Sequence, residues 1–593
     1  MQDGAEMEKW YVAAKKADFD KWAREFQISP VLARILRNRD LTEEAQVRRF
    51  LYGTLEDCYS PWLLKDMDKA VGQIREAVEA KRFIRVIGDY DVDGICSAYI
   101  LTKGLQMLGA NVDTAIPHRI HDGYGLNENL IELAARDGVG MIVTCDNGIA
   151  AAAQVEHAAS LGIRVVVTDH HEVPYTEENG VRSEILPPAS AVVNPKQEQC
   201  RYPYKNICGG VVAYKLIQAL AENTGNEELG DTLEELLEFA AFATVCDVME
   251  LKDENRILVR EGLKRMRNTR NLGLRALMEV NGLQPERLSA YHLGFVLGPC
   301  LNATGRLDTA KRALELLQSS NRVDAMSAAG ELKALNDSRK NLTLEWVREA
   351  EQYLKEHHME QDAVMVIYLP QVHESLAGII AGRIKEKYNH PVFVLTKGEE
   401  GVKGSGRSIE GYHMYEHMTR VQHFFTKYGG HKLAAGLSMA EEDIESLRRA
   451  LNADCGLTEE DFLPKVHIDV PMPLSYADEK LARELELLEP FGMGNPKPLF
   501  AQKELIFKAG YKMGANKSFA RYRVQTPEGG EEWLVFFGDL DRLGACLDEK
   551  YGAGSADALY AGKGSFPLSV VYQLGMNTYR GKAEKQLILQ YFC

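Results

Sequence analysis

Long apolar runs are missing from this chain. Stretches such as Val165-Val166-Val167 are soon interrupted by charged or polar residues, whereas a membrane-spanning helix needs about 20 apolar residues in succession. No membrane partner is expected. Met1 through Lys15 carries acidic side chains and lacks the apolar core of a signal peptide, so a cytoplasmic location is expected. Cysteine is sparse. There are 10 in 593 residues, none in a C-x-x-C pair, with Cys200 and Cys208 the nearest two. That argues against a disulfide framework and a structural zinc site. A basic excess is missing as well. Lys and Arg number 70 against 86 Asp and Glu, a net charge of -16. A polyanionic ligand would then be held by local clusters, not by the overall charge. Carboxylates gathered at a metal site are in any case offset by the ions they bind. No long internal repeat and no low-complexity tract is visible.

What is present is ordinary globular material, 45% hydrophobic and 26% charged, in a chain long enough for three or four domains. Residues 1–65 read as a helical segment, with Ser29-Pro30 and Leu41-Thr42-Glu43-Glu44 as start signals. Residues 66–311 alternate short apolar runs with helical stretches. Phe83 to Gly88, Val112 to Ile116, Met141 to Cys145 and Ile163 to Thr168 are expected strands, and strand–helix alternation implies a parallel sheet. Residues 312–360 read as a long helical linker. A second unit, 361–460, opens on the strand Ala363 to Tyr368, and 461–593 turns to β-type runs between Gly-rich turns. The expected fold is α/β: two parallel-sheet domains joined by the linker, plus a C-terminal β-barrel.

The first expected strand ends in Gly88-Asp89-Tyr90-Asp91-Val92-Asp93-Gly94, the third in Thr144-Cys145-Asp146-Asn147-Gly148 and the fourth in Thr168-Asp169-His170-His171-Glu172. Carboxylates thus recur at one edge of the sheet, where open α/β folds place their ligands. Asp247 follows the apolar helical run Phe239 to Cys246. Clustered like charges repel unless cations bridge them. Mixed carboxylate and imidazole donors suit Mn²⁺ or Mg²⁺. The donors are too many for one catalytic ion with open positions. Two ions about 3.5–4 Å apart fit, an arrangement that serves phosphodiester hydrolysis.

Asp169-His170-His171 resembles the signature of the DHH phosphoesterase superfamily, and the Gly88–Gly94 string resembles the RecJ version of its first motif. Further segments agree in order: Pro117-His118-Arg119 with Asp122 to Leu126, Thr244 to Val248, Leu301 to Arg306, His373 to Arg383, Gly404 to Ser408 and Gly429 to Gly436. Pro490-Phe491-Gly492-Met493-Gly494-Asn495-Pro496 resembles the opening of the family's OB-fold. The resemblance covers residues 30–593. It departs from the family pattern at Cys300, Gly382 and Gly406.

The resemblance implies a DHH catalytic domain, a DHH-associated domain and an OB-like nucleic-acid-binding domain. It implies Asp89, Asp91, Asp93, Asp146, His170 and Asp247 as metal ligands. His170, His171 and Asp169 form the catalytic set, with His171 at the scissile phosphate and Asp169 orienting. Arg119, Asn302, Arg306, His373, Arg383, Ser405, Arg407, Gly430 and His431 are the implied substrate-binding residues. In the barrel, Lys508, Tyr511, Lys512, Lys517, Phe519, Arg521, Tyr522 and Arg523 interleave cations and aromatics, a mixture suited to single strands. The implied activity is 5′-to-3′ exonuclease action on single-stranded DNA in repair and recombination. Single-strand-binding protein and a helicase are its implied partners. The alternatives are a DHH phosphodiesterase or pyrophosphatase acting on small nucleotides, and a non-catalytic DHH scaffold.

Overall fold

The computed structural model describes residues 8–118, 125–178, 180–307, 310–398, 401–453, 455–579 and 582–593. The chain divides into two compact units. One comprises residues 48–340 with 489–496, the other residues 1–47, 341–488 and 497–593. The helix Arg322–Glu356 carries the chain from the former into the latter.

The unit of residues 48–340 is built on five parallel strands: β1 (Phe83–Ile87), β2 (Asn111–Ala115), β3 (Met141–Cys145), β4 (Arg164–Thr168) and β5 (Ala191–Val193). Their order is β2-β1-β3-β4-β5, with every pair parallel. Because β1 lies between β2 and β3, the progression of the chain reverses there. A crevice opens beyond the carboxyl ends of β1 and β3. Apolar side chains cover both faces of the sheet, as parallel sheets require. One face is closed by α1 (Val92–Met107), α2 (Gly209–Thr224) and α3 (Glu227–Cys246). Most of α1 is buried, so it serves as a core helix with little amphipathic character.

In the other unit, β6 (Met365–Tyr368), β7 (Val392–Lys397), β8 (Val402–Arg407), β9 (Phe425–Gly430) and β10 (Ala434–Met439) form a sheet of order β9-β10-β8-β7-β6. Only β6–β7 is parallel; the other pairs are antiparallel. The expectation of a parallel sheet is corrected here. The links after β7 and β9 are hairpin-sized, and a parallel return needs a crossover of a dozen or more residues. The crossover after β6 is such a link and contains α4 (Glu374–Tyr388).

The C-terminal strands β11 (Phe500–Met513), β12 (Phe519–Gln525), β13 (Glu531–Phe536), β14 (Phe566–Tyr579) and β15 (Lys582–Phe592) run in the order β11-β12-β13-β15-β14. Pairing of β14 with β11 closes the barrel. Two further readings are corrected. The N-terminal segment is not wholly helical: Lys9–Val12 is a strand paired in parallel with Lys465–Ile468. It is held there because Trp10 packs against Val466, Ile468 and Val571. The Pro490–Pro496 segment does not open the barrel. It belongs with the unit of residues 48–340, with Leu251 N donating to Met493 O at 2.8 Å. Gly494 takes a positive φ of 69° over Glu250, a conformation that favours glycine.

Candidate metal centre and substrate-binding residues

The carboxylates expected at strand ends converge in the crevice. Asp89 follows β1, Asp146 follows β3, and Asp169-His170 follows β4. Asp91 caps α1 by accepting from Gly94 N at 3.0 Å, and Asp93 lies in the first turn of that helix. Asp247 is the C-cap of α3. Three overlapping groups bring donor atoms within 4.8 Å of one another: Asp89, Asp91 and Asp146; Asp93, His170 and Asp247; Asp146, His170 and His171.

Each side chain is held by a separate device. Asp93 accepts through both oxygens, from Gly209 N at 2.8 Å and Gly210 N at 2.7 Å, at the N-terminus of α2. Partial positive charge there favours an anion. Asp146 takes a left-handed φ of 61°, which turns the chain sharply as it leaves β3. The next residue, Asn147, fixes that turn by donating to Ile87 O at 3.1 Å and Cys145 O at 2.8 Å, joining the ends of β1 and β3. Asp169 accepts from Ile149 N at 2.9 Å, His170 N at 2.7 Å, His171 N at 3.1 Å and His171 Nδ1 at 2.8 Å. Those contacts occupy both of its oxygens and turn it toward His171.

The electrostatics follow from burial and crowding. Burial first, then the neighbouring Asp91, pushes Asp89 up to about 8. Burial, with Asp93 and Asp91, pushes Asp247 up to about 8. Asp146 is driven well above the usual carboxylate range by burial and the same neighbours. Asp169 runs the other way. Burial would raise it, but the His171 hydrogen bond, the charge of His171 and the backbone N–H groups hold it low. His171 rises to about 9, because Asp169, Asp247 and Asp93 outweigh the burial that would lower it. Burial lowers His170. Neither of its ring nitrogens makes a hydrogen bond, although Nε2 lies 3.1 Å from Asp146, 3.5 Å from Asp93 and 3.7 Å from Asp247. A buried imidazole with three carboxylates around its Nε2, none of them in a hydrogen bond with it, is a donor set suited to a divalent cation.

Sequence reasoning missed Asn147, Gly209 and Gly210. A Cβ at Gly209 would lie 2.7 Å from Asp146 Cβ, and one at Gly210 would lie 2.5 Å from Ala243 Cβ. The Gly-Gly pair behind Ile207-Cys208 was the available signal: a helix start where only bare backbone can approach.

The substrate-binding candidates divide between the units. Arg119 lies outside the described residues, as does the side chain of Arg306. Asn302 and Arg306 belong to the helix Gly298–Leu307, which abuts the acidic loop where Gly305 meets Tyr90 O. In the other unit, Ser405 and Arg407 sit two apart on β8. A Cβ added at Gly378 of α4 would lie 2.9 Å from Arg407 Nη2 and 3.5 Å from Ser405 Cβ. Both side chains therefore lie against that glycine. Burial lowers Arg407, whose Nη1 donates to Gly406 O at 2.8 Å. His373 caps α4, its Nδ1 3.3 Å from Ser375 N and 2.7 Å from Ser375 Oγ. Arg383 is exposed and pairs with Glu386 at 3.2 Å. Gly430 ends edge strand β9 and His431 begins the turn after it, with His431 N donating to Ala434 O at 2.8 Å.

Two of the departures from the family pattern have packing reasons. A side chain at Gly406 would collide with Met414 and Phe393. Cys300 is buried, with Sγ 3.4 Å from Asn336 Nδ2 and 3.3 Å from Val296 O. Gly382 has open space around it, and nothing in the structure explains it.

On the barrel, β12 alternates strictly. Ala520, Tyr522 and Val524 are buried, while Phe519, Arg521 and Arg523 face outward. Tyr522 belongs to the core, hydrogen-bonded to Tyr560 at 2.9 Å, so it is not part of an outer binding face. Outside, the Arg521 guanidinium lies 4.3 Å from the Trp533 ring, and Tyr511 lies 5.8 Å from the same ring.

A doubly wound sheet with overlapping carboxylate and histidine groups at its switch point is the arrangement of a DHH-type metallophosphoesterase. Family models agree: the DHH family N-terminal domain matches residues 83–244, the DHHA1 domain 361–456 and the RecJ OB domain 468–591. The chain is 35% identical over 589 residues to the single-stranded-DNA-specific exonuclease RecJ of Bacillus subtilis (strain 168), covering 98% of this chain and 70% of that protein. It is 32% identical over 583 residues to RecJ of Escherichia coli (strain K12), covering 95% and 96%. The crystal structure of RecJ from Thermus thermophilus in complex with Mn²⁺ matches with a TM-score of 0.79 and 26% identity, covering 99% of this chain and 79% of that one. The chain belongs to the RecJ family. Among the described residues, no helix is long and apolar enough to cross a membrane.

Proposed function

We propose that this chain is a metal-dependent exonuclease that hydrolyses single-stranded DNA from the 5′ end and releases mononucleotides. The observation that carries the reading is His170. It is a buried imidazole without hydrogen bonds, ringed by Asp93, Asp146 and Asp247. Two Mn²⁺ or Mg²⁺ ions fit the donor set. Asp89, Asp91 and Asp146 would hold one; Asp93, His170 and Asp247 would hold the other. Bound there, the ions supply Lewis-acid stabilisation of the attacking and leaving oxygens in an in-line displacement at phosphorus.

The chain's own residues do the rest. Asp93, locked by the Gly209 and Gly210 amides, fixes the spacing between α1 and the helix start of α2. Asp169 fixes the His171 ring through Nδ1. Asp169 also favours the protonated ring, a cation suited to a non-bridging phosphate oxygen. Ser405 and Arg407, against Gly378, form a grip for a terminal phosphate, and Asn302 and Arg306 lie on the helix beside the acidic loop. The Tyr511–Arg521–Trp533 face of the barrel offers stacking and positive charge to the trailing strand. The setting is cytoplasmic DNA repair and recombination, beside a helicase that supplies the strand and a single-strand-binding protein that covers it.

The test is digestion of 5′- and 3′-labelled single strands, in DNA and RNA, with and without EDTA. Metal-dependent release of the 5′ nucleotide first, from DNA, is expected. Cleavage confined to dinucleotides or pyrophosphate would replace this reading with a small-nucleotide phosphodiesterase. No cleavage at any metal concentration would replace it with a scaffold.

A further inference from the structure

Two aromatic side chains near the metal centre have no role in the chemistry above. Tyr291 and Phe295 are 63% and 69% exposed. Their rings stack on each other at 5.1 Å with an interplanar angle of 26°. A contiguous exposed ring pair is a candidate contact site.

Its placement says for what. Tyr291 stands on the helical turn Ala290–His292 and Phe295 on the π-helical turn Leu293–Leu297 that continues it, a wide turn of a kind that recurs at functional sites. The inner side is fastened to the end of α3. Leu293 and Leu297 are buried in the catalytic core. Cys246 Sγ lies 3.6 Å from Leu293 O. A Cβ at Gly298 would lie 2.5 Å from Cys246 Sγ, and one at Gly294 would lie 3.5 Å from Val245 Cγ1. Asp247, a member of the acidic cluster, is the next residue along α3. The turn that carries Phe295 is therefore anchored on the two residues preceding that carboxylate. Val248, on its other side, is also exposed.

We propose that Tyr291 and Phe295 form a stacking platform for a nucleobase of the single strand whose phosphate lies at the metal centre. The proposal rests on the reading of the site as a single-strand nuclease. Three features favour a base as the occupant. The pair is flat and already stacked, so a further π-face extends it with little ordering. Neither ring carries a charge that would prefer a phosphate. The turn beneath the pair packs on Val245 and Cys246, the residues that lead into Asp247. Stacking on aromatic rings tolerates any base, which suits an enzyme that must pass every nucleotide. In this arrangement Tyr291 and Phe295 are positioning residues: they hold the strand in register with the metal centre and touch no reacting atom.

The experiment uses the full chain in Mn²⁺ and a set of single-stranded oligonucleotides, each with one abasic residue at a successive position. Wild type and Tyr291→Ala/Phe295→Ala are compared by KM and kcat. Mn²⁺ binding is followed by electron paramagnetic resonance and folding by circular dichroism. Wild type is expected to show one or two positions near the cleaved end where loss of the base raises KM by about 5- to 150-fold, the range of a lost stacking contact. The double variant is expected to have a raised KM on the intact strand and no further rise at those positions, with Mn²⁺ binding unaltered. Tyr291→Phe/Phe295→Trp, which keeps both rings, should retain the wild-type profile. An abasic profile unchanged in a folded double variant would overturn the proposal, as would a wild-type KM on the intact strand. If the wild type itself cleaves no single strand, the reading of the site has failed, and that is distinguishable because no profile exists to compare.

Discussion

The Asp93 carboxylate and the Gly210 backbone N–H, 2.7 Å apart, join the acidic loop of β1 to the start of a helix more than a hundred residues later. Gly209 makes the companion contact at 2.8 Å, so one side chain sets the distance between two elements that frame the metal centre. Gly210→Ala would place a Cβ 2.5 Å from Ala243 Cβ and 3.2 Å from Asp93 Oδ1, forcing the helix start away. Loss of a contact that orients a ligand typically costs 10–100-fold in metal affinity or activity. A drop of about that size in Mn²⁺ affinity is expected for Gly210→Ala, measured by titration of the metal-free protein. Affinity within a factor of two of wild type would show that Asp93 needs no help from α2.

Removing a ligand should separate chemistry from folding. His170→Ala deletes a ring that makes no hydrogen bonds, so what is lost is only the approach of Nε2 to Asp146, Asp93 and Asp247. Turnover on single-stranded DNA should fall by at least about 10³-fold, given what ion-mediated charge stabilisation contributes. The circular dichroism spectrum should stay that of wild type. A folded variant that keeps a tenth of the activity would rule out His170 as a ligand.

Stability of the metal-free protein should depend on pH in a stated direction. Asp89 and Asp247 are raised to about 8 from an ordinary carboxylate value near 4. Their contribution to stability is complete below about pH 4 and is lost as pH rises through about 8. His171, raised to about 9, acts in the same direction, losing its contribution as pH climbs. Asp169, held low, stays ionised throughout and contributes no slope in this range. Tm of EDTA-treated protein should therefore fall between pH 5 and 9, by about 2–4 °C per kcal/mol lost in a domain of this size. Mn²⁺-loaded protein should not follow it, because cations compensate the same charges. A flat or rising Tm without metal would contradict the crowding of carboxylates inferred here.

The parts of the site that could be read in the sequence are those set by local chemistry. Asp89, Asp146 and His170 follow short β-branched runs, and a run that ends in an acid states both the strand and the edge it faces. The parts that could not be read depend on long-range approach. Asn147 looks like turn filler until it is seen donating to Ile87 O, across the strand interface. Gly209 and Gly210 look like a weak helix start until Asp93 is found in contact with them. The mixed sheet of β6 to β10 was misread for a related reason: Val402 to Arg407 is too glycine-rich to announce itself as a strand, so the hairpin before it went unseen. Lys9–Val12 is legible only through its distant partner, Lys465–Ile468.

The pocket on β8 should distinguish strand ends. The Arg407 guanidinium is half-buried, with burial acting against its charge, which an anionic ligand would compensate. Hydrogen bonds to charged groups contribute about 1.5–3 kcal/mol. Arg407→Ala should then weaken binding of a 5′-phosphorylated strand by about 10- to 150-fold, and of a 5′-hydroxyl strand much less. Gly378→Ala, which crowds Arg407 Nη2, should reproduce part of that selectivity. Equal losses on both strands would mean that Arg407 supports the sheet and does not read the end.

The outer face of the barrel should govern how the enzyme responds to salt and to strand length. Arg521 lies over Trp533 at 4.3 Å and opposite Tyr511 in the ladder, so cation and rings form one surface. Tyr522, which alternation turns inward, is excluded from it. With a net charge of -16, the chain gains no affinity for DNA from its overall field, and local cations must supply it. Each phosphate contact on a single strand contributes about -0.7 to the slope of log K against log salt. Arg521→Ala should flatten that slope by about 0.7, and Trp533→Ala should leave the slope alone while lowering affinity by about 5- to 150-fold. Both effects should appear on long oligonucleotides, which offer more nucleotides to that face, and weaken on short ones. The measurement is binding of a short and a long single strand across a salt series, with the metal-free protein so that nothing is cleaved. Should Trp533→Ala bind long strands as tightly as wild type, this face does not contact DNA, and its exposed rings belong to a protein contact instead.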